Sequence, residues 1–224
     1  MTQNQESFVR FMLENNVLKF GDFTLKSGRK SPFFLNLGNL NSGYELTELG
    51  KYYAEVIWEK YGEDVEVVFG PAYKGIPIAT AVAQFYWDCY GYDIRYSSNR
   101  KEIKDHGDAG ILLGAKLNGA DKTKMVIVED VTTSGKSMEE TVPILLAQNV
   151  EILGLVVSVD RHEVGPSGVG TALEEISRTY GFPATAIVSM PEVVEYMTTK
   201  GELDDEMIAK INDYYEMYGP KKGE

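Results

Sequence analysis

The chain has 224 residues, 43% of them hydrophobic, which suits one large domain or a domain with a small appendage. Its formal net charge of −12 counts against nonspecific binding to nucleic acid or anionic membrane, and no run approaches the roughly 18–20 apolar residues of a membrane span. Any site for anions must therefore gather its cations locally.

Residues 1–16 carry neither the basic start nor the apolar stretch of a signal peptide. Phe8, Met12 and Leu13 recur there at the spacing of a short helix. Two β-like segments follow, Asp22–Lys26 and Pro32–Leu37, joined by the turn-prone Ser27-Gly28-Arg29-Lys30, and they predict a small antiparallel appendage over residues 1–40. From about Tyr44 the pattern alternates. Helix 45–60 leads to the apolar run Val65–Phe69, and helix 75–87 leads to a strand at 92–97. A polar loop, the stretch Ile111–Ala115, the run Met125–Val128, helix 137–148 and strand 152–159 come next. Helix 171–180, strand 184–189 and helices near 191–198 and 204–217 complete the chain. Thr171 with Glu174, and Ser137 with Glu140, have the spacing of capping boxes. The single cysteine, Cys89, excludes an intrachain disulfide, points to no oxidising compartment and reads as a small buried apolar side chain. The expected compartment is the cytoplasm.

Short apolar strands alternating with helices predict an α/β core over 41–200 with a parallel sheet covered on both faces, followed by a tail, 201–224, that matches no motif. Ligands of such sheets bind beyond the carboxyl ends of the strands, so the loops after the apolar runs carry the function.

The most informative loop follows Met125–Val128. Glu129 and Asp130 end a buried strand, and Thr132, Thr133, Ser134, Gly135, Lys136 and Ser137 then run into a helix N-terminus. Backbone N–H groups, the helix dipole and hydroxyls make this an anion site, while the two acids suit sugar hydroxyls or a metal. Acids beside a phosphate cradle describe a receptor for ribose 5-phosphate. Gly135-Lys136-Ser137 is not a Walker loop, because the earlier glycine that motif needs is replaced by Asp130. Two adjacent acids at the end of a buried strand are costly without a task, which argues against an ordinary turn.

The segment Val126–Gly135 resembles the PRPP (phosphoribosyl pyrophosphate) fingerprint of the type I phosphoribosyltransferases, with Glu129 where Asp is common. The resemblance implies that family's fold, a central parallel sheet flanked by helices under a small N-terminal hood. Gly70-Pro71-Ala72-Tyr73-Lys74-Gly75 corresponds to its pyrophosphate loop, with Lys74 as the cation. Asn99–Gly110 supplies the local cations that the acidic background requires: Arg100, Lys101, Lys104 and His106. It is similar to the mobile catalytic loop of the orotate branch, which implies a homodimer sharing the 100–110 loop between subunits.

Two adjacent aromatics, Phe33 and Phe34, near Lys26 suit a flat anionic heterocycle. The stretch looks like the hood that contacts orotate in the same branch. Arg161, just past strand 152–159, can pair a planar guanidinium with a carboxylate or carbonyl, and the resemblance gives it to orotate together with Thr133. His162 has no counterpart and reads as structural.

Assembled, the resemblance implies that loop 132–137 holds the 5-phosphate, and that Lys74, Arg100, Lys101, Lys104 and His106 face the pyrophosphate. Mg²⁺ is then held by PRPP and water without a direct protein ligand, and Glu129 and Asp130 lie near the ribose. Lys104 is the expected cation for leaving-group departure. A purine- or uracil-using transferase would leave Lys26 and Arg161 idle. A nucleic-acid-binding regulator on the same fold is disfavoured by the acidic charge and the absence of a helix-turn-helix or basic patch. A fused decarboxylase barrel of about 250 residues does not fit this length.

Overall fold

The computed structural model describes residues 1–25, 28–104, 110–117, 121–132 and 135–221, apart from the side chains of 101–104 and 110. Helix α1, Gln3–Glu14, opens the chain, capped by a Thr2–Gln5 capping box. Strands β1, Leu18–Thr24, and β2, Lys30–Leu35, form an antiparallel hairpin with a register shift between Phe20 and Phe23. Both begin earlier than the alternation suggests, because the hairpin is anchored by Val17 and Leu18 in the core. Helix α2, Gly43–Tyr61, carries its own Ser42–Glu45 box.

A six-stranded sheet follows, in the order β5-β4-β3-β6-β7-β8. Its strands are β3, Val67–Phe69; β4, Arg95–Lys104; β5, Gly110–Gly114; β6, Thr123–Glu129; β7, Val150–Asp160; and β8, Ala184–Ser189. All neighbours pair in parallel except β4 with β5, so the sheet is mixed at one edge. Residues 99–104, expected in a polar loop, belong to β4 and form a hairpin with β5. Charged residues are acceptable there because an edge hairpin need not bury both faces.

The connecting helices are α3, Gly75–Phe85; α4, Lys136–Leu146; α5, Ala172–Tyr180; α6, Met190–Thr199; and α7, Asp205–Tyr218. Helix α3 ends two residues before its expected limit and gives way to a π-helical turn, Tyr86–Tyr90. Cys89 lies exposed in that turn, against the expectation of burial.

Alternation explains the two cores. On β6, Val126 and Val128 pack with α1, α2, α3 and α6, while Met125 and Ile127 pack with α4 and α5. All four are fully buried, each worth roughly 1.5–3 kcal/mol relative to exposure. The N-terminal residues share the first core through Phe8, Val9, Met12 and Phe33. Burying the middle of the sheet on both faces leaves its carboxyl edge as the place where loops from β3, β6 and β7 converge.

Candidate active site

Two of those loops are tied together. Lys74, on the loop after β3, places its Nζ 2.6 Å from Asp130 Oδ2, at the end of β6. The main chain of each loop is held independently. Ala72 N–H donates to Asn99 Oδ1 at 2.8 Å, and Asp130 carbonyl accepts from Ser158 N–H at 3.0 Å and from its hydroxyl. Gly70 is required by close approach, since a Cβ there would lie 1.9 Å from the Gly75 carbonyl oxygen. Tyr73, 68% exposed, lies beside Lys74 at the mouth.

The adjacent acids do different things. Glu129 is only 8% exposed and turns back into its own loop. One carboxylate oxygen accepts from Asp130 N–H at 3.0 Å and the other from the Ser137 hydroxyl at 2.5 Å, while Tyr53 donates to the Glu129 carbonyl at 2.7 Å. Burial is the largest influence on the Glu129 carboxyl and pushes it above the ordinary range. Hydrogen bonds from Ser137 and the Asp130 N–H oppose this without cancelling it. Asp130 is thus the acid brought to the neighbouring loop.

The expected Ser137–Glu140 capping box is absent. Helix α4 is preceded by Gly135 at φ +70°, with no side-chain cap, because the Ser137 hydroxyl is committed to Glu129. Thr132 is half-buried, Lys136 is exposed, and Thr133 and Ser134 lie outside the described residues.

Arg100 is half-buried and donates from Nε to the Leu112 carbonyl at 3.3 Å, which lays it along the β4–β5 hairpin. His106 and the side chains of Lys101 and Lys104 lie outside the described residues, as does Lys26.

The hood's two phenylalanines also separate. Phe33 is fully buried, 5.4 Å from the Tyr214 ring and 6.2 Å from that of Tyr215. Phe34 is half-buried and stacks on Phe23 at 5.5 Å. Arg161, immediately after β7, is 6% exposed, with its guanidinium 4.7 Å from the Phe33 ring centre and its Nε 2.7 Å from Glu163 Oε1. His162 adopts φ +54° with its N–H on Asp160 Oδ1, consistent with a structural part. A cleft of about 650 Å³ opens against β8, lined by Asp160, His162, Glu174 and Ser189, but no residue of the two tied loops lines it. Its size does not make it the site: neither Lys74 nor the N-terminus of α4 lines it.

Tyr53, Asn99, Ser158, Glu163 and Tyr214 support the site without having been singled out as site residues in the sequence. Asn99 and Glu163 stand within the informative runs; nothing in the sequence marks the other three.

The carboxyl edge of a largely parallel sheet, with an acid-ended strand feeding a small-residue loop and a lysine crossing from the next loop, defines a phosphoribosyltransferase. Residues 39–167 match the phosphoribosyl transferase domain family. An orotate phosphoribosyltransferase of Clostridium botulinum (strain Alaska E43 / Type E3) is 53% identical over 227 residues, covering 99% of this chain and all of that one. Another, from Agathobacter rectalis, is 53% identical over 228 residues, covering 99% of this chain and 100% of its own. The crystal structure of the Francisella tularensis orotate phosphoribosyltransferase matches with a TM-score of 0.83 at 37% identity, covering 95% of this chain and 99% of that one. The chain belongs to the orotate phosphoribosyltransferase family, pentosyltransferases of pyrimidine biosynthesis. An orotate phosphoribosyltransferase of Mycobacterium tuberculosis H37Rv in complex with PRPP shares the fold at a TM-score of 0.62 and 20% identity, covering 85% of this chain and 98% of that one.

Proposed function

We propose that this chain joins orotate to the ribose 5-phosphate unit of PRPP, giving orotidine 5′-monophosphate and pyrophosphate, as a cytoplasmic homodimer working with Mg²⁺. The observation that carries this reading is the Lys74–Asp130 pair, 2.6 Å long, which joins the loops of two neighbouring strands. It sets a cation for pyrophosphate against an acid for ribose, beside a helix N-terminus suited to the 5-phosphate.

When PRPP binds, Lys74 exchanges Asp130 for the pyrophosphate, and Asp130 is released to accept hydrogen bonds from the ribose hydroxyls. N–H groups of residues 132–137, with the hydroxyls of Thr132, Thr133 and Ser134, hold the 5-phosphate, while Glu129 keeps that loop in shape from within. Arg100, Lys101, Lys104 and His106 close over the pyrophosphate. The C1–O bond breaks with its electron pair leaving on the pyrophosphate, positive charge develops on the ribose near Asp130, and the orotate ring nitrogen attacks C1 with inversion, its N–H proton passing to the departing pyrophosphate. Lys104 stabilises the departing charge most directly. Orotate lies against Phe34, with Lys26, Thr133 and Arg161 reading its polar edge and Phe33 supporting Arg161 from below.

Among the described residues no three acids, histidines or cysteines cluster to hold a metal. Mg²⁺ fits as a companion of PRPP, held by phosphate oxygens and water, with the hard Asp130 carboxylate available to accept hydrogen bonds from that water. When bound it withdraws charge from the leaving pyrophosphate. Among the described residues no helix is long and apolar enough to cross a membrane.

The test is orotate consumption, followed by ultraviolet absorbance, with PRPP and Mg²⁺ and then with each omitted. Loss of absorbance that needs both is expected. Turnover of uracil or hypoxanthine in place of orotate would overturn the base assignment.

A further inference from the structure

Glu163 stands between two arginines. Its Oε1 accepts from Arg161 Nε at 2.7 Å and from the Tyr214 hydroxyl at 2.6 Å, and its Oε2 lies 2.9 Å from Arg29 Nη1. Arg161 Nη2 is 2.5 Å from the same Oε1 and 3.4 Å from the Tyr214 oxygen. Helix α7 closes the arrangement from outside. Tyr215 donates to the Arg161 carbonyl at 2.8 Å, Val164 N–H donates to the Tyr218 carbonyl at 2.8 Å, and Arg29 lies over the Tyr218 ring at 4.3 Å. The tail that carries no sequence motif therefore holds the end of β7.

Burial gives this arrangement a direction. Two guanidiniums share the Glu163 carboxylate, and of the three groups Arg161 and Glu163 are the nearly buried ones, 6% and 8% exposed. Removing the carboxylate would leave the Arg161 guanidinium buried and uncompensated, so Glu163 is what allows Arg161 to stand at the end of β7.

We propose that Glu163 and Tyr214 are positioning residues for base recognition. They fix the Arg161 guanidinium over Phe33 so that its remaining hydrogen-bonding capacity meets the anionic edge of the base, and α7 is the buttress that keeps them in place. The inference rests on Arg161 as a base-binding residue. A purely structural role for the same groups would instead lower folding stability and weaken both substrates together.

Tyr214→Phe removes one hydroxyl and keeps the ring; Glu163→Gln removes the charge at nearly constant shape. For each, KM for orotate, KM for PRPP, kcat and Tm are measured, alone and combined with Arg161→Ala. Tyr214→Phe is expected to raise KM for orotate about three- to tenfold, the equivalent of one ordinary hydrogen bond, with KM for PRPP unchanged. Glu163→Gln is expected to go further in the same direction. In the Arg161→Ala background, Tyr214→Phe is expected to add nothing. Unchanged KM for orotate in both variants overturns the inference, as does a parallel rise in both KM values with a lower Tm, or an undiminished Tyr214→Phe effect without Arg161. If Arg161→Ala itself leaves KM for orotate untouched, the base-binding reading of Arg161 falls and the inference falls with it.

Discussion

A single methylene distinguishes Glu129 from the aspartate common at that place, and the extra reach lets its carboxylate fold back onto the Asp130 N–H and the Ser137 hydroxyl. His162 shows the same economy: its N–H is 2.8 Å from Asp160 Oδ1 and its Nδ1 is 3.7 Å from Oδ2. The adjacent Asp160 carboxylate is the largest cause raising its pKa above the ordinary 6.5, with the charge of Glu174 adding to it and partial burial opposing. A group whose folded pKa is raised contributes stability that is complete below its ordinary value and fades as pH climbs through the raised one. His162→Asn keeps a residue tolerant of the left-handed backbone. Its Tm deficit relative to the parent is expected to be wider at pH 6 than at pH 8; equal deficits at both would show that the imidazole charge contributes nothing. The sequence shows where such residues stand because an apolar run ends at a readable place, as Arg161 and Asp130 do. It does not show who meets them. Tyr53, Ser158 and Tyr214 arrive from 76, 28 and 51 residues away, and no local period encodes those meetings. Ser137 is the converse case, a good local capping signal overridden by a tertiary partner.

Elements were legible where burial imposes a period. The unbroken apolar run of β6 and the capping box at Thr171 are local consequences of local residues. The β4–β5 hairpin was less so, because an edge pair with charged residues carries no buried face to set a pattern. Helix packing is a further property the sequence hides. Gly50, in the middle of α2, faces Ala81 of α3 so closely that a Cβ would lie 2.5 Å from the Ala81 Cβ and 2.7 Å from its carbonyl carbon. By intrinsic propensity alone, Gly→Ala within a helix stabilises by about 0.5–1 kcal/mol. Here overpacking of roughly 1–3 kcal/mol outweighs it, for a fall in Tm of about 2–8 °C. Gly43→Ala, at the start of the same helix with nothing within 4 Å of the added carbon, is the control and is expected to be neutral or slightly stabilising. A thermal melt in which Gly50→Ala raised Tm would mean that the two helices separate at little cost.

For the whole molecule the question is how an acidic chain with a net charge of −12 handles two anionic substrates. Lys74 and Arg161 supply local cations but pair with Asp130 and Glu163, so the proposed site draws further positive charge from the 100–110 loop. If that loop serves the neighbouring subunit, a site is complete only when one subunit gives the sheet edge and the other gives the loop. Lys104→Ala and Asp130→Asn then damage different halves of a site. Each variant alone is expected to be nearly inactive, with turnover lost more than PRPP affinity in the Lys104 variant. Mixed and allowed to exchange subunits, half of the dimers become hybrids, and in each hybrid one of two sites combines an intact edge with an intact loop. Activity should return to about a quarter of the parent value, by the symmetry of a two-fold dimer. A loop acting within its own subunit gives no recovery at any mixing ratio, because every site then contains one lesion. Native mass spectrometry of the mixture, which separates hybrid from parental dimers by the mass lost at Lys104, distinguishes failure to exchange from failure to complement: hybrids present without activity would return the loop to its own chain.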